Sequence, residues 1–302
     1  MKKEKINGIT TYHLEKLISD EKMEKLFSKK IKPDLINLII DDDADVYTTD
    51  GALLMKFRKN ILPKNNIDDF YDNIIAFAKK PTSNRSMTIG NNKSKNKDSR
   101  KAMTNIIGYF DIFSPMQKYL FKKKNIKTPI EVRETFFISE YPEKYKKTIP
   151  LIQNIDYFYK KFIPSHYEKQ RKKANQTPFK IPNTAFTTVT TNVNFQTTIH
   201  KDKGDDAEGM GNICVIERGK YSGAETCFPQ YGVGVNVRTG DMLFMDVHQY
   251  HGNLPMIKEE PDAIRLSIVC YLRTNIWLRS KNKTKKFMIH HNKTVKKIKK
   301  QK

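Results

Sequence analysis

Thr187-Thr188-Val189-Thr190-Thr191-Asn192-Val193-Asn194-Phe195-Gln196-Thr197-Thr198-Ile199-His200-Lys201-Asp202 is the stretch on which the fold reading turns. Its threonine- and valine-rich first half favours a β-strand, because branched side chains pack well on a pleated surface. His200 and Asp202 are read at the end of this strand, where the period of two puts both side chains on one side. Asn194, Gln196 and Thr198 share that parity, giving an inward polar row. Polar atoms inside a small barrel are costly unless a ligand or metal meets them. Downstream lie further short β-type runs, Ile213 to Glu217, Glu225 to Phe228, Val233 to Val237, Met242 to Val247 and Leu266 to Leu272, punctuated by Gly219, Gly223, Gly232, Gly240 and Gly252. Strands this close together, without helices between them, predict an antiparallel sandwich or barrel.

An imidazole and a carboxylate two residues apart supply one neutral nitrogen and one anionic oxygen, a donor pair suited to a divalent first-row metal. A second histidine from a distant strand would complete a two-histidine, one-carboxylate facial triad, which leaves positions for a chelating 2-oxo acid and O2. The candidates are His248 and His251. His251, followed by Gly252-Asn253-Leu254-Pro255, is the expected ligand, with His248 exposed or supporting. Beyond it Arg265 and Ser267 share one face of a strand. A guanidinium fork matches the far carboxylate of 2-oxoglutarate, and the serine hydroxyl can add a donor. Asn194 and Thr198 are candidates to touch the same cosubstrate or to serve structure alone. Tyr221 and Tyr231 are read as packing residues rather than a substrate mouth, and Asp241 and Asp246 as turn or supporting residues. An isolated His-x-Asp is a weak signal. The order of His-x-Asp, β-rich interval, Gly-Asp-led strand, His-Gly-Asn and Arg-x-Ser is a specific one.

At these residues a family resemblance appears. The run from Thr187 to Arg273 resembles the 2-oxoglutarate oxygenases, and in particular their TET/JBP branch. The matching residues include His200-Lys201-Asp202-Lys203-Gly204-Asp205, Gly219-Lys220-Tyr221-Ser222-Gly223, Phe228-Pro229, Asp246-Val247-His248, His251-Gly252-Asn253 and Arg265-Leu266-Ser267. Upstream, Asp45-Val46-Tyr47, Asp50-Gly51 and Lys56-Phe57-Arg58-Lys59 also resemble JBP-like oxygenases. The resemblance implies an α+β chain whose core is a double-stranded β-helix, jelly-roll or cupin-like, with flanking helices. It implies Fe(II) on His200, Asp202 and His251, 2-oxoglutarate against Arg265, Ser267 and Asn194, O2 as co-reactant and ascorbate as activator. It also implies hydroxylation of the methyl group of thymine or 5-methylcytosine in DNA. The alternatives are a protein or small-molecule hydroxylase with the same triad, and an inactive nucleic-acid-binding barrel. A zinc hydrolase is disfavoured, since HExxH does not occur and Arg265 would have no role.

The expected organisation is an N-terminal extension over 1–39, an oxygenase domain over 40–278 with its β core at about 186–275, and a basic, disordered tail over 279–302. The 302-residue chain is 38% hydrophobic and 29% charged, which fits a globular protein and excludes a wholly disordered one. Its net charge of +23 invites an anionic partner such as DNA. Lysine far outnumbers arginine and the tail holds much of the charge, so charge alone does not decide the point. Cys214, Cys227 and Cys270 form no CxxC pair, which predicts no disulfide-linked partner and small apolar roles within strands. No apolar run reaches membrane-spanning length and no secretory signal is visible, so an intracellular, cytoplasmic or nuclear protein is expected. The polar loop from Ser83 to Ala102 is expected to be solvated or to touch phosphate. The aromatics of residues 104–172 are expected in the core, and His290 and His291 are expected to bind nothing.

Overall fold

A computed structural model describes residues 1–83, 88–90, 101–111, 123 and 131–290. Most of the Ser83–Ala102 loop, with Phe113, Tyr119, Phe121 and His291, lies outside the described residues.

Alternation along the strands builds the centre. β16 (Ile264–Tyr271) sends Leu266, Ile268 and Cys270 to one face and Arg265, Ser267 and Val269 to the other. Its neighbours β8 (Thr188–Val193) and β9 (Gly211–Arg218) flank it antiparallel, and β13 (Met242–Met245) follows β9. Cys214 and Ile216 of β9 and Met242 and Phe244 of β13 continue the first, largely apolar face. Two amphipathic helices cover it. α2 (Lys64–Ala78) buries Ile67, Phe70, Ile74 and Ala78, and α4 (Pro142–Phe162) buries Leu151, Ile152, Ile155 and Tyr159, both at helical spacing. α3 (Phe136–Glu140) and α5 (Pro164–Ala174) complete that layer, α6 (Thr274–Ser280) packs with Tyr109 and Val132 beside it, and α1 (Asp20–Leu26) buries Met23 in a separate cluster with Ile31 and Cys227.

The full large sheet runs β1-β2-β4-β5-β13-β9-β16-β8-β6-β7. Its outer members are β1 (Lys2–Ile6), β2 (Ile9–Leu14), β4 (Ala44–Thr48), β5 (Leu53–Arg58), β6 (Thr104–Asp111) and β7 (Val132–Glu134). A smaller sheet, β14-β11-β12-β3, pairs β14 (Gly252–Asn253), β11 (Thr226–Phe228), β12 (Val233–Val235) and β3 (Leu38–Ile40). Phe228, Val233 and Val235 of the small sheet share one apolar cluster with Phe57, Ile213, Leu243 and Met245 of the large sheet. The two sheets therefore pack face to face. A two-stranded ribbon of β10 (Tyr221–Gly223) and β15 (Met256–Lys258) closes one end.

Two expected boundaries are corrected. Residues 1–39 are not an appendage, since β1 and β2 extend the large sheet and β3 adds to the small one in parallel register with β12. The tail does not begin at 279. Ser280 and Met288 are fully buried, Arg279 pairs with Asp111 and Lys285 with Glu134. Of the mid-chain aromatics, Tyr109 and Tyr159 are core residues, whereas Tyr157 is exposed. All three cysteines are buried on strands and unpaired, and burial pushes the Cys214 thiol up to about 12. No helix among the described residues is long and apolar enough to cross a membrane.

Candidate metal and cosubstrate site

The strand that opens the β region stops at Val193, short of the His-x-Asp pair. Asn194 takes a left-handed backbone (φ 48°), which asparagine tolerates better than most residues, and the chain leaves the sheet there. His200 returns to β pairing through one antiparallel bridge with His251, closed by His200 N–H to His251 O and His251 N–H to His200 O, both at 2.9 Å. Directly opposed residues of an antiparallel pair bring their side chains together, and the two imidazole centroids lie 4.3 Å apart. The Asp202 carboxylate reaches both rings: Oδ1 is 3.7 Å from His200 Nε2 and Oδ2 is 3.7 Å from His251 Nε2. One donor atom from each residue lies within 4.8 Å of the other two.

The far sides of the rings fix their tautomers. His200 Nδ1 lies 2.7 Å from the Thr198 carbonyl and His251 Nδ1 3.0 Å from that of Gln249. A carbonyl can only accept, so each Nδ1 carries the proton and each Nε2 lone pair turns toward Asp202. Two neutral nitrogens and one carboxylate, backed by backbone acceptors, form a donor set that fits a divalent ion such as Fe(II). His248 is not part of it. Its ring approaches the carbonyls of Asp202 (3.1 Å) and Asp206 (3.4 Å), bracing the loop that carries the carboxylate. Asp246 and Asp241 hold turns, through the His248 and Arg238 amides respectively.

Close packing makes the bridge possible. A Cβ on Gly252 would sit 3.0 Å from the Thr198 carbonyl oxygen and 3.1 Å from Ile31 Cδ1. Gly252→Ala is therefore expected to push the His251 strand away from His200, lowering metal affinity about 10-fold and costing roughly 1–3 kcal/mol of stability. Metal titration beside thermal melting checks both effects. Asn253 secures the same edge, its Oδ1 accepting from Thr197 N and Oγ1, each at 2.8 Å.

Between the sheets a cavity with roughly 580 Å³ of empty space, mouth included, joins the triad to Arg265, Ser267, Asn192, Thr226 and Asn253. Arg265 is 5% exposed, and burial pushes its guanidinium pKa down, though an arginine stays charged at any ordinary pH. Its neighbour across the sheet is Glu217. That carboxylate is taken by Arg238 (2.9 Å) and by the Thr239 amide and hydroxyl (2.8 and 3.2 Å). Arg265 makes no salt bridge among the described residues. A buried cation without a counter-charge inside a cavity is a site for an anion. Ser267 Oγ accepts from Asn192 Nδ2 at 3.3 Å beside it.

The structure places Asn194 elsewhere. Its Oδ1 accepts from the Arg265 amide (2.7 Å) and its Nδ2 donates to the Ala263 carbonyl (3.1 Å), so it fixes the start of β16 rather than lining the cavity. Asn192, one step back in the same parity, is the residue that faces inward, and strand parity alone could have found it. Tyr221 and Tyr231 are buried, and burial pushes both phenols up to about 12.

A second cleft opens on the other side of Asp202. Asp202, Lys203 and Asp205 form one wall, and Thr190, Tyr271 and Arg273 face them. Thr190 Oγ1 and Tyr271 Oη are 3.2 Å apart, and Arg273 pairs with the buried Asp111. Asp202 thus stands between the cavity that holds Arg265 and a second, polar cleft.

A two-sheet fold with one His-Asp-His cluster facing a buried arginine defines a class, the metal-dependent oxygenase domains, and comparison with known proteins names the family within it. A family model described as the oxygenase domain of the 2OGFeDO superfamily, Tet_JBP, matches residues 118–274, just over half of the chain, and the protein belongs to that family. It is 31% identical over 173 residues to the bifunctional helicase and thymine dioxygenase JBP2 of Leishmania tarentolae, a match covering 57% of this chain and 15% of the relative. It is 34% identical over 150 residues to thymine dioxygenase JBP1 of Trypanosoma brucei brucei, covering 48% and 18%. The chain thus spans less than a fifth of these relatives. The solved structure of NgTET1 in complex with 5mC DNA superposes with a TM-score of 0.53 at 14% identity, covering 91% of this chain and all of that one. That likeness is one of fold.

Proposed function

We propose that the protein is an Fe(II)- and 2-oxoglutarate-dependent dioxygenase that hydroxylates the methyl group of a pyrimidine base, thymine or 5-methylcytosine, in DNA. The observation that carries the cosubstrate is the buried Arg265, which makes no salt bridge among the described residues, in the cavity of the triad. The named activity of the JBP relatives supports a base as the target. We read the core as a double-stranded β-helix, a reading supported by the order β8-β16-β9-β13 facing β14-β11-β12.

Bound there, Fe(II) would couple the conversion of 2-oxoglutarate and O2 to succinate and CO2 with insertion of one oxygen atom into a substrate C–H bond. The protein's own part is positional. His200, Asp202 and His251 would hold the ion, while Arg265 and Ser267 orient the 2-oxo acid by its distal carboxylate. The apolar inner faces of Ile213, Met245 and Val269 exclude bulk water from that end of the cavity. The Asp202–Arg273 cleft would receive the base. A methyl group inside stacked DNA cannot reach it, so the base must be turned out of the helix, with surface lysines gripping phosphates. Soluble DNA-modifying chemistry of this kind suits a nuclear site, and ascorbate would keep the iron reduced.

The test is mass spectrometry of nucleosides after DNA is incubated with protein, Fe(II), ascorbate and 2-oxoglutarate. Hydroxymethylated pyrimidine with stoichiometric succinate is expected. Succinate formed only with an added peptide would overturn the DNA reading while leaving the oxygenase intact.

A further inference from the structure

β11 contains a hydroxyl that the fold does not use. Cys227 points to the outer side and packs with Met23 and Ile31. Thr226 and Phe228, at the alternate positions, face the interior, where Phe228 lies 6.1 Å from the His251 ring, centroid to centroid. Thr226 is 4% exposed and lines the cavity of the triad and Arg265. Its Oγ1 is buried and has no hydrogen-bond partner. The inward residue beside it on β12 is Val235. A valine at 226 would fill nearly the same shape without leaving a polar atom unsatisfied, so a hydroxyl retained there points to a ligand in the cavity.

Register shows which part of the ligand it meets. Cys227 pairs with Gly252 and Thr226 with Asn253, which sets Phe228 level with His251. Thr226 therefore lies two residues, about 7 Å, along the strand from the level of the metal ligand. That step is comparable to the reach of a five-carbon diacid from its 2-oxo acid head to its far carboxylate. We propose that Thr226 Oγ1 donates a hydrogen bond to the distal carboxylate of 2-oxoglutarate from the small sheet, opposite Arg265 and Ser267 of the large sheet. The cosubstrate is then clamped between the two sheets rather than held by one strand. The assignment rests on the reading of 2-oxoglutarate as cosubstrate given above.

The experiment compares the wild type with Thr226→Val and Thr226→Ser, each loaded with Mn(II) without oxygen and titrated calorimetrically with 2-oxoglutarate. Steady-state succinate assays with Fe(II) run alongside. Thr226→Val is expected to raise both Kd and KM for 2-oxoglutarate roughly 10-fold. Its kcat should stay within about twofold, the pattern of a lost binding contact. Its melting temperature without 2-oxoglutarate should be unchanged or higher, since an unsatisfied hydroxyl has gone, and Thr226→Ser should restore affinity. Wild-type affinity in Thr226→Val overturns the assignment. So does a lower melting temperature with weakened Mn(II) binding that serine does not rescue, since that marks a packing role. A wild type that binds Mn(II) but no 2-oxoglutarate overturns the cosubstrate reading itself, and the assignment with it.

Discussion

His200→Ala yields a folded protein that neither retains Fe(II) nor forms succinate. The bridge between residues 200 and 251 is made by backbone atoms, so alanine keeps both 2.9 Å hydrogen bonds. What disappears is one of two neutral nitrogens facing the Asp202 carboxylate. Loss of a partner that merely orients a metal ligand costs about 10–100-fold in affinity or activity, so loss of a ligand must exceed that. Anaerobic metal titration, circular dichroism and a succinate assay on one preparation check the result. Retained 2-oxoglutarate turnover would remove His200 from the metal site.

Arg265→Met has an effect of similar size by a different route. A charge-assisted, bidentate contact in a buried cavity is worth several kcal/mol, about 3–5 when one partner is removed, which corresponds to a rise in KM for 2-oxoglutarate from about 10²-fold to several times 10³-fold. Stability should move the other way. The guanidinium is 5% exposed and makes no salt bridge among the described residues, so an apolar side chain of similar length leaves the ligand-free protein at least as stable. Arg265→Lys should recover only part of the affinity, because an ammonium lacks the planar fork. Steady-state kinetics across 2-oxoglutarate concentrations, with melting curves of the ligand-free proteins, test both halves. An unchanged KM would leave Arg265 without a cosubstrate.

The candidate site was legible in the sequence because it is carried by residue types. His200, Asp202, His251 and Arg265 are recognisable as donors and a fork wherever the backbone puts them, and the structure gathers all four around one cavity. The central strands were legible for a related reason, since apolar faces alternate along β9, β13 and β16. What escaped was backbone behaviour and long-range pairing. Asparagine permits but does not require the left-handed turn at residue 194 that ends β8 early and diverts that side chain to the backbone of residues 263 and 265. The parallel pairing of Leu38–Ile40 with Val233–Val235 joins segments almost two hundred residues apart, so residues 1–39 read as an extension although they complete both sheets. Charge misled at the other end. The lysines from 281 onward suggest a solvated tail, but Met288 anchors that segment against Tyr109 and Phe179. Asn192 shares the parity of Asn194 and was open to the same argument, whereas Thr226 was passed over because a threonine in a strand looks ordinary until its partners are known.

An anaerobic titration of the metal-free protein with Fe(II) and then 2-oxoglutarate, followed by visible absorption, tests the central claim most directly. One Fe(II) per chain and a new charge-transfer band that appears only when both are present, is lost in His200→Ala and needs far more 2-oxoglutarate in Arg265→Met, is the predicted result. A wild type that gives no such band, or a band indifferent to both substitutions, would contradict the account.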